Sequence, residues 1–305
     1  MKFLILGGLG YIGKVLQEEL IKKGHEFEIV DNDLMNLHNW DNKLDITDYD
    51  HLSKIGEMIE NSDIVVSLAA VVGDQACLTN TRQAININCQ GIQHIVNVCN
   101  KFNKKLIHLS TCSLYGSSKD ILNENSQTFP VDFYGQTKYQ QERYVLENSK
   151  DYCVFRLGTA HGWSPRMRFD LVVNTFAAKK FNKEKITVFG GNQWRPFVHI
   201  RDIARGIIFA AEKNLKGVYN LCNENITIDD LAKKIAGDEM GIELNSLQAD
   251  PRDYKVDNSK ILSEGFIFDW NTEKGINEML QHIEDLSNYN DPKYSNYKMA
   301  VLKNL

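Results

Sequence analysis

The chain has little of what would send it toward nucleic acid, a membrane or an oxidising compartment. Its formal charge is −5, from 35 lysines and arginines against 40 aspartates and glutamates, and no stretch is dense in basic residues. That leaves no positive field for a polyanion or an anionic lipid surface. Six cysteines (Cys77, Cys89, Cys99, Cys112, Cys153, Cys222) stand apart, with no CxxC pair and no Cys/His spacing of a zinc site. In a chain too long to need stapling they read as reduced thiols of a cytoplasmic protein, and no metal site is expected. The longest apolar stretch, IVVSLAAVVG from Ile64, is about half a bilayer span and reads as a buried strand with the loop after it. The opening MKFLILGG stops at a glycine loop and continues as an amphipathic helix, unlike a secretory leader. There is no internal repeat and no low-complexity segment. Small molecules are the partners these absences leave, with no nucleic acid and no membrane.

What is present is a large apolar fraction, 43% of 305 residues, enough for one large core with an appended lobe. Strand-like and helix-like runs alternate: KFLIL, a helix from Tyr11 to Lys23, FEIV, a short strand before Asp45, a helix near Asp50 to Glu60, DIVVSLAA, and a long helix ending near Lys101. KLIHLS, a helix from Phe133 to Glu147, and YCVFRLG follow. This order predicts an α/β fold, a Rossmann-type doubly wound parallel sheet with helices on both faces. The unbroken apolar strands agree, because strands covered on both sides need no polar face. Residues 1–162 read as the nucleotide-binding domain, with later segments returning to it. Residues 163–305 read as a smaller interwoven lobe with ITVFGG, WRPFVH, GVYNLC, a helix from Ile228 and a last helix over Thr272–Leu286. The final NYNDPKYSNYKMAVLKNL shows no clear period and is either a docked tail or a frayed end.

GGLGYIG follows the first strand and opens the first helix. Gly7, Gly10 and Gly13 stand where the chain must turn sharply, where a pyrophosphate must approach the backbone, and where helix must pack on strand. The helix begins at Tyr11 and Ile12, so its N–H groups and dipole would face the phosphates. Asp31, at the end of the next strand, is placed to accept hydrogen bonds from both hydroxyls of an adenosine ribose, and its charge would repel a 2′-phosphate. The cofactor expected is therefore NAD. The alternative for Asp31 is a turn cap. Asp45 and Ile46 are placed to flank the adenine; Leu68 is expected to line the cofactor, and Ala69 and Ala70 at the end of VVSLAA are small enough to let it cross the strand ends.

YGQTK sets Tyr134 and Lys138 at i, i+4, on one face of a helix. A tyrosine is a poor base at neutral pH unless a nearby ammonium favours the phenolate. Such a pair arises often by chance as an exposed aromatic beside a solvated lysine. Here it opens a helix just after KLIHLS and TCSLYG, so Tyr134 could face the strand ends where a nicotinamide must lie. Ser110 and Thr111 close that strand. Thr111 could hold a substrate hydroxyl beside Tyr134 or simply cap the strand end. Cys112 has no obvious activating base, and His161 and His199 lack spaced partners, which makes them structural or cofactor-lining.

With GGLGYIG, SLAA, INCQG, STCSLYG, YGQTK, RPFVHIRDIA and YNL in this order, the chain resembles the extended short-chain dehydrogenase/reductases that act on nucleotide sugars, in particular the NAD-dependent epimerase/dehydratase branch. The resemblance spans nearly the whole chain. It implies a nucleotide-diphosphate sugar, GDP-, UDP- or dTDP-linked, oxidised at C4 by NAD, with Tyr134 as base, Lys138 lowering its pKa and holding the nicotinamide ribose, and Thr111 orienting the hydroxyl. Asn88 matches an asparagine after the fourth strand, with an architectural role. Arg195 and Arg252 match arginines that contact the diphosphate, Arg166 and Arg168 lie over the expected sugar pocket, and Val188 and Phe189 with the two glycines after them would form an apolar slot for the base. Cys112-Ser113 stands where 4,6-dehydratases of the branch carry Asp-Glu, which argues against that activity. Epimerase, 4-dehydrogenase and NAD(P)H-dependent 4-keto reductase all fit the shared C4 step, and a non-catalytic NAD-sensing regulator is the alternative of another class. VVGDQAC and SPRMRFDLVVN differ from the usual UDP-galactose epimerases, leaving room for a surface-polysaccharide sugar and a GDP-heptose 4-dehydrogenase. A homodimer paired through Thr81–Lys101 and Phe133–Glu147 is what the family leads one to expect.

Overall fold

A computed structural model describes residues 1–38, 40–237, 241–245 and 250–303. The chain alternates β1 (Lys2–Leu6), α1 (Tyr11–Lys22), β2 (Glu26–Val30), α2 (Tyr49–Glu60), β3 (Ile64–Ser67), α3 (Asp74–Thr79), α4 (Thr81–Ile85), α5 (Ile92–Phe102) and β4 (Lys105–Thr111). It continues through β5 (Ser117–Leu122), α6 (Phe133–Asn148), β6 (Tyr152–Leu157), β7 (Thr159–His161), α7 (Val172–Phe181), β8 (Ile186–Phe189), β9 (Trp194–His199), α8 (Ile200–Glu212) and β10 (Gly217–Leu221). The remaining elements are β11 (Glu224–Thr227), α9 (Ile228–Ala236), β12 (Ile242–Asn245), β13 (Asp253–Val256), α10 (Ser259–Ser263), α11 (Thr272–Met279), α12 (Ile283–Ser287) and α13 (Asn296–Lys303).

Six strands form one sheet in the order β10-β6-β4-β3-β1-β2, and every pair in it is parallel. The expected α/β architecture is therefore the observed one. Its sixth strand, β10, comes from far beyond residue 162. Alternation along β1 divides the core: Phe3 and Ile5 face one apolar cluster with α1, α7 and α8, whereas Leu4 and Leu6 face the other with α2 and α5. All four are fully buried, which is why KFLIL carries no polar face. Strand order reverses between β1 and β3, and a crevice opens at the carboxyl ends of the strands at such a switch point. Three smaller sheets, β11-β9-β7, β12-β8 and β13-β5, build the rest of the second lobe.

Several expectations need correction. Among the described residues no strand forms between β2 and Asp45; Leu44 instead donates one backbone bond to the Asp31 carbonyl. The long helix over Thr81–Lys101 is interrupted by a wide π-turn at Asn86–Gly91. That turn carries buried Asn88, which accepts from Val71 N and donates to Val71 O and Thr137 Oγ1. Asn88 thus ties the loop after β3 to α6, an architectural role. The last helix breaks at 280–282, where His282 stacks flat on Trp163 at 3.9 Å. The tail is docked, and α13 packs on α3. The residues that α5 and α6 leave fully exposed, among them Gln93, Asn97, Gln136, Gln140, Arg143 and Glu147, are polar. Among the described residues no helix is long and apolar enough to cross a membrane.

Candidate active site

One cleft of 1550 Å³ runs over the carboxyl ends of the sheet, from the glycine turn past Tyr134 to the arginines of the second lobe. At its first end, Gly7 has φ +90°, and a Cβ there would meet Ala69 N at 2.8 Å. At Gly13 a Cβ would lie 2.6 Å from the carbonyl oxygens of Gly7 and Gly8. No side chain fits either position. The residue before α1 is Gly10, which supplies no side-chain cap, and no acidic residue stands in the first turn. Uncapped N–H groups beside a backbone cradle suit an anionic pyrophosphate.

Asp31 lines this end of the cleft. Its Oδ2 accepts from Leu9 N at 2.9 Å and its Oδ1 from Asp33 N at 2.8 Å. The turn-capping alternative is thus realised, and the same carboxylate braces the glycine turn. Burial raises its pKa against these two bonds, and a carboxylate has lone pairs left for two hydroxyls. Asp45 accepts from Thr47 and Asn32; burial would raise its pKa, but these bonds outweigh it and hold it low. Ile46, Leu68, Ala69, Ala70 and Ile12 line the same end. Tyr11 also lines it, but its hydroxyl donates to Gly162 O at 2.5 Å and accepts from Asn174, pinning α1 to the second lobe. The residues present fit a dinucleotide with a free adenosine ribose.

At the centre stand Thr111, Tyr134 and Lys138. The start of α6 is held by two carboxylates: Asp132 Oδ1 accepts from Gly135 N, and Asp74 Oδ1 accepts from Phe133 N and Tyr134 N. Asp74 comes from VVGDQAC, 59 residues away from Phe133, and sequence reading missed it because no local pattern reports so distant a cap. Lys138 is buried and donates to Leu109 O at 2.7 Å and to Gln141. Burial pushes its pKa down to about 7, with Glu142 opposing. Burial also pushes the Tyr134 phenol up, while the guanidiniums of Arg168 and Arg252 pull it back. Thr111 Oγ1 accepts from Ser113 N at 3.1 Å and so caps the turn after β4, yet its hydroxyl proton is still available to a ligand.

Ser110 corrects an expectation. Its backbone lies along the cleft, but its hydroxyl donates to Glu142 at 2.5 Å rather than facing a cofactor. Glu142 in turn forms a buried ion pair with Arg156 at 2.7 Å, and Arg156 donates to Tyr115. Alternation along β4 forces this, because Ser110 and Thr111 must point to opposite faces. Cys112 is fully buried, donates to Arg156 O, and burial pushes its thiol far up. It is inert. His199 is fully buried against Glu278 at 3.1 Å and stacks on Trp270, with His161 edge-on beside it, so both histidines are structural.

At the far end, Arg195 and Arg252 converge on one carboxylate. Asp250 Oδ2 lies 3.0 Å from Arg195 Nη2 and 2.6 Å from Arg252 Nη2, and Arg252 also lies 3.4 Å from Asp132. Asp250 was missed in the sequence although DPRD carries it two residues from Arg252. Arg168 is paired side-on with Asp170 at 2.9 and 3.0 Å. Among the described residues the Arg166 guanidinium has only neutral partners at bonding distance, Met167 O and Asn296 Oδ1, and burial lowers its pKa to about 10. All four arginines line the cleft. Of the expected apolar slot, Phe189 does line it and is 43% exposed, but Val188 is fully buried in the core. Strand alternation turns Val188 inward and presents Thr187 and Phe189 instead.

Comparisons with known proteins agree with this geometry. Residues 3–222 match the model of the NAD dependent epimerase/dehydratase family. The chain is 32% identical over 230 residues to Protein CapI of Staphylococcus aureus, covering 68% of each. It is 29% identical to the UDP-glucuronate 4-epimerase of Thermodesulfobacterium geofontis over 94% of this chain and 96% of that one. Among solved structures, the UDP-glucuronic acid 4-epimerase of Bacillus cereus in complex with UDP-glucuronic acid and NAD superposes with a TM-score of 0.78 and 26% identity, over 94% of this chain and all of the other. The glycine cradle, the Tyr134/Lys138 helix and the family match together identify the chain as a member of the NAD-dependent epimerase/dehydratase family.

Proposed function

We propose that this protein oxidises the C4 hydroxyl of a nucleotide-diphosphate sugar and returns hydride to the same carbon, as a 4-epimerase of a UDP-linked sugar. The observation that carries it is one cleft joining the glycine cradle, Tyr134 with Lys138, and the Arg195/Arg252 pair. The glycine cradle and Asp31 would hold NAD, which would supply a reversible hydride acceptor for C4. Tyr134 takes the hydroxyl proton as the C4–H bond breaks and C4=O forms, and returns it as hydride comes back. The guanidinium charges of Arg168 and Arg252 favour the phenolate against the burial that opposes it, and in this reading Lys138, one turn further along α6, holds the nicotinamide ribose. Thr111 donates to the reacting oxygen. Arg195 and Arg252 hold the diphosphate, exchanging part of their hold on Asp250 for it. Phe189 packs on the base.

Arg166, a buried guanidinium that has no carboxylate at bonding distance among the described residues, supports an acidic sugar, so a UDP-hexuronate stands ahead of a neutral hexose. Relatives named for UDP-glucuronate favour a uridine nucleotide over a GDP-heptose. The assembly proposed with this reading is a homodimer through α5 and α6. Because that face is polar, it should weaken with salt in light scattering.

The experiment is to incubate the NAD-loaded protein with UDP-glucuronate, UDP-glucose, a dTDP-hexose and a GDP-heptose in deuterated water and follow C4 by NMR. A C4 epimer that keeps its C4 hydrogen supports the reading. A 4-keto sugar accumulating with NADH makes the protein a 4-dehydrogenase, and no turnover of any of the four with NAD bound leaves the regulator.

A further inference from the structure

The C-terminal segment, which no step above uses, forms part of the cleft wall. Its base is anchored in the second lobe: Phe169 N donates to Tyr294 O at 2.8 Å, Tyr294 OH donates to Asp285 at 2.7 Å, and the rings of Phe169 and Tyr294 meet edge to face. From there Ser295, Asn296 and Tyr297 enter the cleft. Asn296 commits three polar groups to opposite walls. Its N–H donates to Asp170 Oδ2 at 3.0 Å and its Oδ1 accepts from Arg166 Nη2 at 2.9 Å, both on the sugar side. Its Nδ2 donates to Val72 O at 3.3 Å, on the loop that continues Leu68–Ala70 along the cofactor side. One helical turn further, Ala300 is buried in a small apolar cluster with Val71 and Cys77, against which Leu34 and Tyr134 pack. The strap thus shares one apolar cluster with the loop after β3, and the loop after β2 and the start of α6 pack against that cluster.

We propose that Asn296 is a positioning residue that latches this strap across the cleft, restraining the cofactor-side loop so that the dinucleotide is retained between hydride steps, and fixing Arg166 toward the sugar. This rests on the proposed function, because an epimerase that gives its hydride back must keep the cofactor in place. Hydrogen bonds from one residue to two walls make those walls move together, and cutting the side-chain bond to Val72 O frees the loop over Leu68–Val72.

The test uses the full chain and two variants, Asn296→Ala and Asn296→Asp. NAD dissociation is followed by stopped-flow displacement without sugar nucleotide, and KM and kcat are then measured with UDP-glucuronate. Asn296→Ala is expected to release NAD about three- to tenfold faster, the order of one lost neutral hydrogen bond, and, through the lost bond to Arg166, to raise KM more than it lowers kcat. Asn296→Asp keeps an acceptor for Arg166 but no donor for Val72, so KM should recover while NAD release stays fast. Unchanged NAD release and KM in Asn296→Ala, with only a lower melting temperature, would overturn the latch. Wild-type protein that holds NAD but turns over no sugar nucleotide breaks the functional reading while leaving the release comparison to decide the latch.

Discussion

The two ends of the cleft are built by different physics. At the cofactor end the recognition surface is backbone: glycine positions that exclude any side chain, an uncapped helix start, and a carboxylate that braces the turn. Nothing there needs to move for a pyrophosphate to approach. At the sugar end recognition rests on long cations, and most of these are already engaged, Arg168 by Asp170 and Arg195 with Arg252 by Asp250. A diphosphate arriving there competes with an internal anion, so its net gain is smaller than a count of arginines suggests. A preorganised cradle thus sits opposite an exchangeable one.

The sharpest way to break this comparison is at the centre, which both ends serve. Tyr134→Phe should lower kcat by ~10²–10⁴-fold, the range for a general base, while NAD titration by fluorescence stays unchanged; an undiminished kcat would remove Tyr134 from the chemistry. Next, Arg252→Ala should raise KM for the sugar nucleotide by about 10–100-fold, from the loss of charge-assisted bonds, and leave NAD affinity alone. Gly13→Ala should do the reverse. Its Cβ would strike two carbonyl oxygens, so denaturant unfolding should show a loss of about 1–3 kcal/mol, and NAD affinity should fall further than sugar-nucleotide affinity.

A smaller effect comes from Lys138, whose pKa burial lowers to about 7. The unfolded chain binds its proton up to about pH 10.4. Below about 7 the fold therefore carries a charge that its burial disfavours, and the penalty lessens as pH rises from there. Melting temperature should thus climb more between pH 6.5 and 9 in the wild type than in Lys138→Met; parallel curves would mean that Lys138 is not the group. The smallest contrast is on β8. Phe189→Ala should change stability by no more than ~0.5 kcal/mol while weakening nucleotide binding, whereas Val188→Ala should destabilise and leave binding alone.

Much of this was readable in one dimension. GGLGYIG contains its own geometry, because tight turns and close approach demand glycine locally, and the i, i+4 relation of Tyr134 and Lys138 is fixed by the helix itself. The sheet followed from unbroken apolar strands alternating with helices. Harder to read were partners brought together over long separations: Asp74 under the start of α6, Glu142 taking the Ser110 hydroxyl, Asp250 between two arginines, and Asn296 spanning the cleft. Val188 was misplaced for a simpler reason, since an apolar run does not say which alternate residues face the core.

The sequence by itself determined the glycine cradle, the pairing of Tyr134 with Lys138 on one helical face and the doubly wound sheet, since each rests on backbone periodicity and on residues within a few positions of one another. Only the tertiary structure decided which charges are free, which hydroxyls are committed and how the tail closes on the cleft. Apart from Arg168 with Asp170 and Arg252 with Asp250, each two residues apart, those are pairings across dozens to hundreds of residues, set by packing, and their energies depend on burial that no local pattern encodes.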